Sequence, residues 1–177
     1  MKNVYMVCVM GVLAALSIVL VMFNTMIFTA VPFLKYDLAD IPVLITGLIL
    51  GPVYGLAVLA VASFVQAFFL GGDGWVGLVM HFCASGVLVL ASSLIYRKWR
   101  SIPSLITGLI TGTICMTVLM IPLNYIFTVN FFGIPVETLN KLLIWVILFN
   151  LVKASLNSVI SGTVFKILDK ALPNNFI

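Results

Sequence analysis

The chain has 177 residues, a net charge of +4 and only 8% charged residues, with a mean hydropathy of +1.29. A water-soluble domain carries roughly a quarter charged residues, so this composition excludes one and points to an all-α membrane protein solvated by lipid. The net positive charge is then a topology signal, and nucleic acid is not an expected partner.

An α-helix needs roughly 20 apolar residues to cross hydrocarbon. Reading between helix breakers gives six segments, at about 4–28, 41–51, 53–70, 75–96, 103–128 and 142–168, within a single domain spanning 1–177. Lys2 ahead of the first apolar run is compatible with a signal peptide. The run is too long for a typical h-region, however, and no small-x-small site follows it before Asn24, so a retained helix is expected. Gly11 and Ala15, extended by Ala14, form a small-xxx-small face that admits another helix closely. That neighbour is either one of the chain's own helices or a docking partner.

After this helix the stretch from Val31 to Tyr36 is extended in character. Asp40, just before Ile41-Pro42, reads as the cap of the second helix, meeting its positive dipole end. Lys35 and Asp37 read either as a solvated loop pair or, beside Phe33 and Tyr36, as the mouth of a pocket for a flat polar molecule. Gly51-Pro52 divides the second segment from the third, because Pro52 has no backbone donor and disfavours helix before it. A re-entrant hairpin is one reading. Gly47, Gly51 and Gly55 favour two helices joined by a tight turn.

The next loop, Gly71-Gly-Asp-Gly-Trp75, is a flexible turn with Trp75 in the interfacial aromatic belt, or a gate in which Trp75 stacks on a ligand. Gln66 and His81 lie at similar depth near the outer ends of the third and fourth helices, and Asn124 near that of the fifth. In the last helix, Asn150, Lys153 and Asn157 share one face through spacings of three and four. Lys153 is too deep for easy snorkelling. No acid is evident at its depth, so the expectation is not a buried ion pair but a ligand-facing ammonium among amides.

With both termini cytoplasmic, six of nine cations lie inside: Lys2, Arg97, Lys98, Arg100, Lys166 and Lys170. Four of five acids (Asp37, Asp40, Asp73 and Glu137) then lie outside. Cys8, Cys83 and Cys115 are isolated, with no metal-ligand spacing, and no cofactor is expected. The chain has no GxxxxGK[ST], HExxH or GxSxG motif. An intramembrane enzyme would need a nucleophile–base pair or carboxylates at depth, so the expectation is a non-enzyme. A transporter of this composition takes its energy from a partner or an ion gradient.

Several marks occur in order: Gly11-Val-Leu-Ala-Ala15, Pro32-Phe-Leu-Lys-Tyr-Asp-Leu-Ala-Asp-Ile-Pro42, Gly51-Pro-Val-Tyr-Gly55, His81-Phe-Cys-Ala-Ser85, Asn124-Tyr125 and Phe149-Asn-Leu-Val-Lys153. Together they cover nearly the whole chain. In this order they resemble the substrate-binding S components of energy-coupling factor (ECF) vitamin transporters, most of all the riboflavin-specific members. The resemblance implies a six-helix protein of the prokaryotic plasma membrane that binds a vitamin from outside. It would dock through its first helix, at Gly11, Ala14 and Ala15, onto a transmembrane coupling protein with two ATPases, and topple to release its cargo. It implies ligand contacts at Lys35, Asp37, Asn124, Asn150 and Lys153; Gln66, Trp75, His81 and Asn157 join them from the residue reading. His81 departs from the family's asparagine, and Gln66 stands where a basic or amide residue often lies. Another vitamin such as pantothenate, and a ligand-free membrane scaffold, remain the alternatives.

Overall fold

The computed structural model describes residues 2–29, 34–71 and 73–171; Phe33, expected at the pocket mouth, and Gly72 lie outside them. Its helices are α1 (Lys2–Val21), α2 (Asp40–Ile49), α3 (Pro52–Phe69), α4 (Gly74–Trp99), α5 (Ile102–Leu123), α6 (Val129–Phe132) and α7 (Val136–Ala171). A π-helical turn, Asn124–Thr128, joins α5 to α6, so residues 102–132 run as one rod. Among the described residues five helical stretches are long and apolar enough to cross a membrane, and α2 is a shorter apolar helix.

The bundle is apolar outside and mixed inside, the reverse of a soluble protein. On α5, Ile106, Ile110, Ile114 and Val118 are all exposed at fourfold spacing, while Ser63, Ser85, Ser92, Thr113, Asn150 and Ser161 are buried. A central core joins Val43 and Leu44 of α2 to Val58, Leu59, Leu88, Met116, Met120 and Ala154. The α2 helix sits inside this bundle, with Asp40 to Leu48 all buried. Its ten residues measure about 15 Å, half of the roughly 30 Å hydrocarbon core.

Two separate helices with a tight turn are what the Gly51-Pro52 break produces. Gly51 has φ +117°, a conformation that side chains rarely adopt. A Cβ on Gly55 would lie 2.8 Å from Gly47 Cα, so glycine at both positions lets α2 and α3 close on each other.

Three boundaries differ from the sequence expectation by more than three residues. The first helix ends at Val21, not 28, because the chain turns there and Thr25–Met26 pairs antiparallel with Lys35–Tyr36, in register Thr25↔Tyr36 and Met26↔Lys35. This short ribbon is the one departure from an all-α architecture among the described residues. The last helix begins at Val136, six residues earlier than expected: its polar first turns are helical, and Tyr125 donates a hydrogen bond to Asn140 across the 133–135 turn. The fifth passes beyond 128 to Phe132, with the π turn following Pro122, which supplies no backbone donor. Cys8, Cys83 and Cys115 are free thiols.

Candidate functional site

A cavity of about 420 Å³ opens at the end of the bundle where α1 and α3 finish and α2 and α4 begin. Helical periodicity builds its walls. Ser63, Gln66, Ala67 and Leu70 of α3 line one side and Gly77, Met80, His81 and Ala84 of α4 the next; both sets follow the i, i+3, i+4, i+7 pattern of one helix face. Met116 and Met120 of α5, with Phe149, Asn150 and Lys153 of α7, complete it. Lys35 and Asp73 stand exposed at the rim.

Beneath the cavity lies a charge cluster that overturns one expectation. Lys153 is 7% exposed and Asp37 2% exposed, and the Lys153 ammonium donates to Asp37 Oδ2 at 3.1 Å. Asp40 Oδ2 is 3.9 Å from the same nitrogen. Lys153 is therefore a member of a buried ion pair, with its acids supplied from 116 residues away by the loop that folds down onto α7. Asp37 is correspondingly buried, not half of a solvated pair with Lys35.

Further bonds pin that loop. Tyr36 donates its hydroxyl to Asn157 Oδ1 at 3.0 Å, and Asn157 Nδ2 donates to the Asp37 carbonyl at 3.3 Å. Burial raises the Tyr36 phenol above its ordinary pKa. Ser17 of α1 donates to the Ala39 carbonyl at 2.7 Å, and the Ala39 amide donates to Asp37 Oδ1 at 3.1 Å.

The Asp40 carboxylate does not cap α2. No side chain caps that helix among the described residues, and its N-cap is Ala39. Instead Asp40 Oδ1 faces His81 Nε2 at 3.1 Å, and Ser63 Oγ lies 3.0 Å from His81 Nδ1. An ionised carboxylate only accepts, so Nε2 carries a hydrogen, and in the neutral ring Nδ1 accepts from Ser63. Both ring nitrogens are thus committed within the protein, and His81 offers the cavity a ring surface.

Of the residues singled out in the sequence, Lys35, Asp37, Gln66, His81, Asn150 and Lys153 line the cavity. Asn157 lies below it as a loop anchor. Asn124 is 1% exposed, with its amide donating to the Met120 carbonyl at 2.8 Å and accepting from Thr128 at 3.0 Å; the π turn, not the cavity, uses it. Trp75 is half exposed and packs edge-on against Phe131 at 4.7 Å, away from the cavity. Sequence reasoning missed Ser63, Asp73, Met80 and Phe149 as lining residues. Ser63 had a signal, since it lies three residues before Gln66 on the same face.

On the first helix Gly11 and Ala15 are exposed, and nothing lies within 4 Å of where a Gly11 Cβ would stand. Ala14 differs: it is buried in the central core.

Fold and cavity together define a multi-pass helical membrane protein with a chamber of mixed lining at one end of the bundle. Residues 5–165 match the family model described as the substrate-specific component of ECF transporters. The chain is 35% identical over 121 residues to riboflavin transporter FmnP of Bacillus subtilis (strain 168), covering 67% of this chain and 63% of that one. It is 34% identical to riboflavin transporter RibU of Streptococcus thermophilus (strain ATCC BAA-250 / LMG 18311), covering 75% of this chain and 64% of the other. The matches thus span less than two thirds of either relative's length. A solved S component of a bacterial ECF transporter superposes with TM-score 0.86 at 30% identity, over 97% of this chain and 99% of that one. The chain belongs to the family of substrate-specific components of ECF transporters, a family of membrane transport proteins rather than enzymes.

Proposed function

We propose that the chain is the substrate-binding component of an ATP-driven ECF importer, a single domain that takes riboflavin into the cavity between α3, α4 and α7 from the extracytoplasmic side. The observation that carries this reading is the cavity itself. Its volume of about 420 Å³ falls in the range of small-molecule sites, and its apolar walls with a few convergent polar groups are what such sites use. Riboflavin is favoured because the relatives described above are named riboflavin transporters.

Six crossings with both termini cytoplasmic account for the charges. The cations of the α4 C-terminus, Arg97, Lys98 and Arg100, and those of the α7 C-terminus, Lys166 and Lys170, lie at helix ends opposite the cavity. Lys35, Asp37, Gln66, His81, Asn150 and Lys153 are the ligand-side residues of this reading. Gly11 and Ala15 form the outward face that docks on a transmembrane coupling protein carrying two ATPases, while Ala14 holds α1 to its own bundle. Titration of purified protein by riboflavin fluorescence, with pantothenate as control, tests the assignment. Saturable quenching with no pantothenate-induced thermal stabilisation is expected. Stabilisation by pantothenate alone would reassign the vitamin, and response to neither would favour a scaffold.

A further inference from the structure

Several polar groups that line the cavity already spend hydrogen bonds within the protein. His81 uses both ring nitrogens on Asp40 and Ser63, Lys153 and Asp37 hold each other, and the Asn150 amide donates to the Val146 carbonyl. Gln66 differs from these. Its Oε1 is buried and has no hydrogen-bond partner among the described residues, and its side chain lines the cavity one turn above Ser63. Although Asp40 Oδ2, Ser85 Oγ and Ser93 Oγ are also buried without a hydrogen-bond partner among the described residues, none of those three residues lines the cavity. A buried acceptor left unpaired is destabilising, and a turn of the Gln66 amide towards the cavity would let a donor on a ligand relieve that cost.

Resting on the riboflavin reading above, we propose that Gln66 is a specificity-determining residue that reads the imide edge of the ligand's flat ring system. A carboxamide presents one acceptor and one donor side by side in a plane. Its complement is an N–H adjoining a carbonyl, which the pyrimidine ring of a flavin carries at N3 and its flanking carbonyls. The pair forms two coplanar hydrogen bonds inside a site walled by methionine and phenylalanine, where each bond gains from exclusion of water. A group that only accepts, such as a carboxylate or phosphate, would leave Oε1 unpaired, and its exclusion is the selectivity this residue confers.

The test compares wild type with Gln66→Leu and Gln66→Met, binding riboflavin, its N3-methyl derivative, and lumiflavin, which lacks the hydroxylated chain. Each variant is expected to bind riboflavin and lumiflavin about tenfold or more weakly, the loss for one buried two-bond contact. N3-methylation is expected to weaken wild type to a similar degree and the variants no further, because both changes remove the same contact. Loss for riboflavin but not lumiflavin would assign Gln66 to the hydroxyls and overturn the proposal. Additive losses, or unchanged riboflavin affinity in both variants, would overturn it too, leaving Oε1 satisfied by water alone. The ligand-free thermal midpoint should hold or rise in both variants, since an orphan acceptor is gone; a fall in both would show a structural partner and sink the idea. If wild type binds none of the three flavins, the functional reading itself fails, a result separate from all of these.

Discussion

Replacing Lys153 with methionine removes the one cation from a cluster of two buried carboxylates and keeps most of the side-chain volume. The ammonium lies 3.1 Å from Asp37 Oδ2 and 3.9 Å from Asp40 Oδ2. At an effective dielectric of about 20 those contacts correspond to gross attractions of about 5 and about 4 kcal/mol. Desolvation offsets most of that sum, so the intact cluster contributes little net stability. The asymmetry appears when one member is lost. Asp37 and Asp40, 2% and 1% exposed, would remain as buried charges, with His81 the remaining side-chain partner of Asp40 in the cluster. Breaking a buried pair in this way costs about 3–5 kcal/mol, on the order of 10 °C in the midpoint of a chain this size. The assay is thermal unfolding of ligand-free protein in detergent. Adding Asp37→Asn to Lys153→Met should recover a large part of the loss, because one stranded charge is removed with its partner. A Lys153→Met midpoint within about 2 °C of wild type, or a double variant that loses the sum of both singles, would refute the ion-pair account.

Asn157→Ala should leave the bundle folded but release Tyr36 and the Asp37 carbonyl together; faster riboflavin dissociation in stopped-flow fluorescence is the expected sign, and an unchanged rate would contradict the anchoring role. His81→Phe strands the Asp40 and Ser63 side chains at once and is expected to cost about 1–3 kcal/mol per orphaned group. The ligand-free thermal midpoint checks this, and no change would mean the imidazole bonds are dispensable. Gly11→Leu and Ala15→Leu, both on the outward face of α1, should preserve riboflavin binding yet abolish cellular uptake. Ala14→Leu, by overpacking the core, should lower the midpoint instead. Equal behaviour of the three variants would defeat the docking assignment.

The bundle was legible because lipid imposes coarse rules: apolar runs of spanning length, glycine and proline at turns, cations gathered at one side. Those rules locate α3 and α4 to within a few residues. They are blind to the ribbon of Thr25–Met26 with Lys35–Tyr36, since two-residue strands leave no periodic trace. The candidate site was half visible. The face of Asn150, Lys153 and Asn157 follows from helical spacing, and so does the depth of Gln66 and His81. The acids opposite Lys153 are hidden in the sequence, because helical spacing reports depth only along a single helix, while Asp37 reaches Lys153 from a loop 116 residues away. The local partners of Asn124 are hidden in the sequence for a related reason. A buried asparagine in a helix can spend its amide on its own backbone, and the π turn gives it Met120 and Thr128 as partners.

The brevity of α2 also shapes the electrical profile of the protein. From Asp40 by the chamber to Ile49, two residues before the Gly51 turn, α2 rises only about 15 Å, so water filling the chamber would leave a thin low-dielectric septum across which a membrane voltage would fall more steeply than through the surrounding lipid. Charge moved along the axis at the Asp40–His81 and Asp37–Lys153 pairs would then couple to that voltage more strongly than an equal movement at the bundle's periphery.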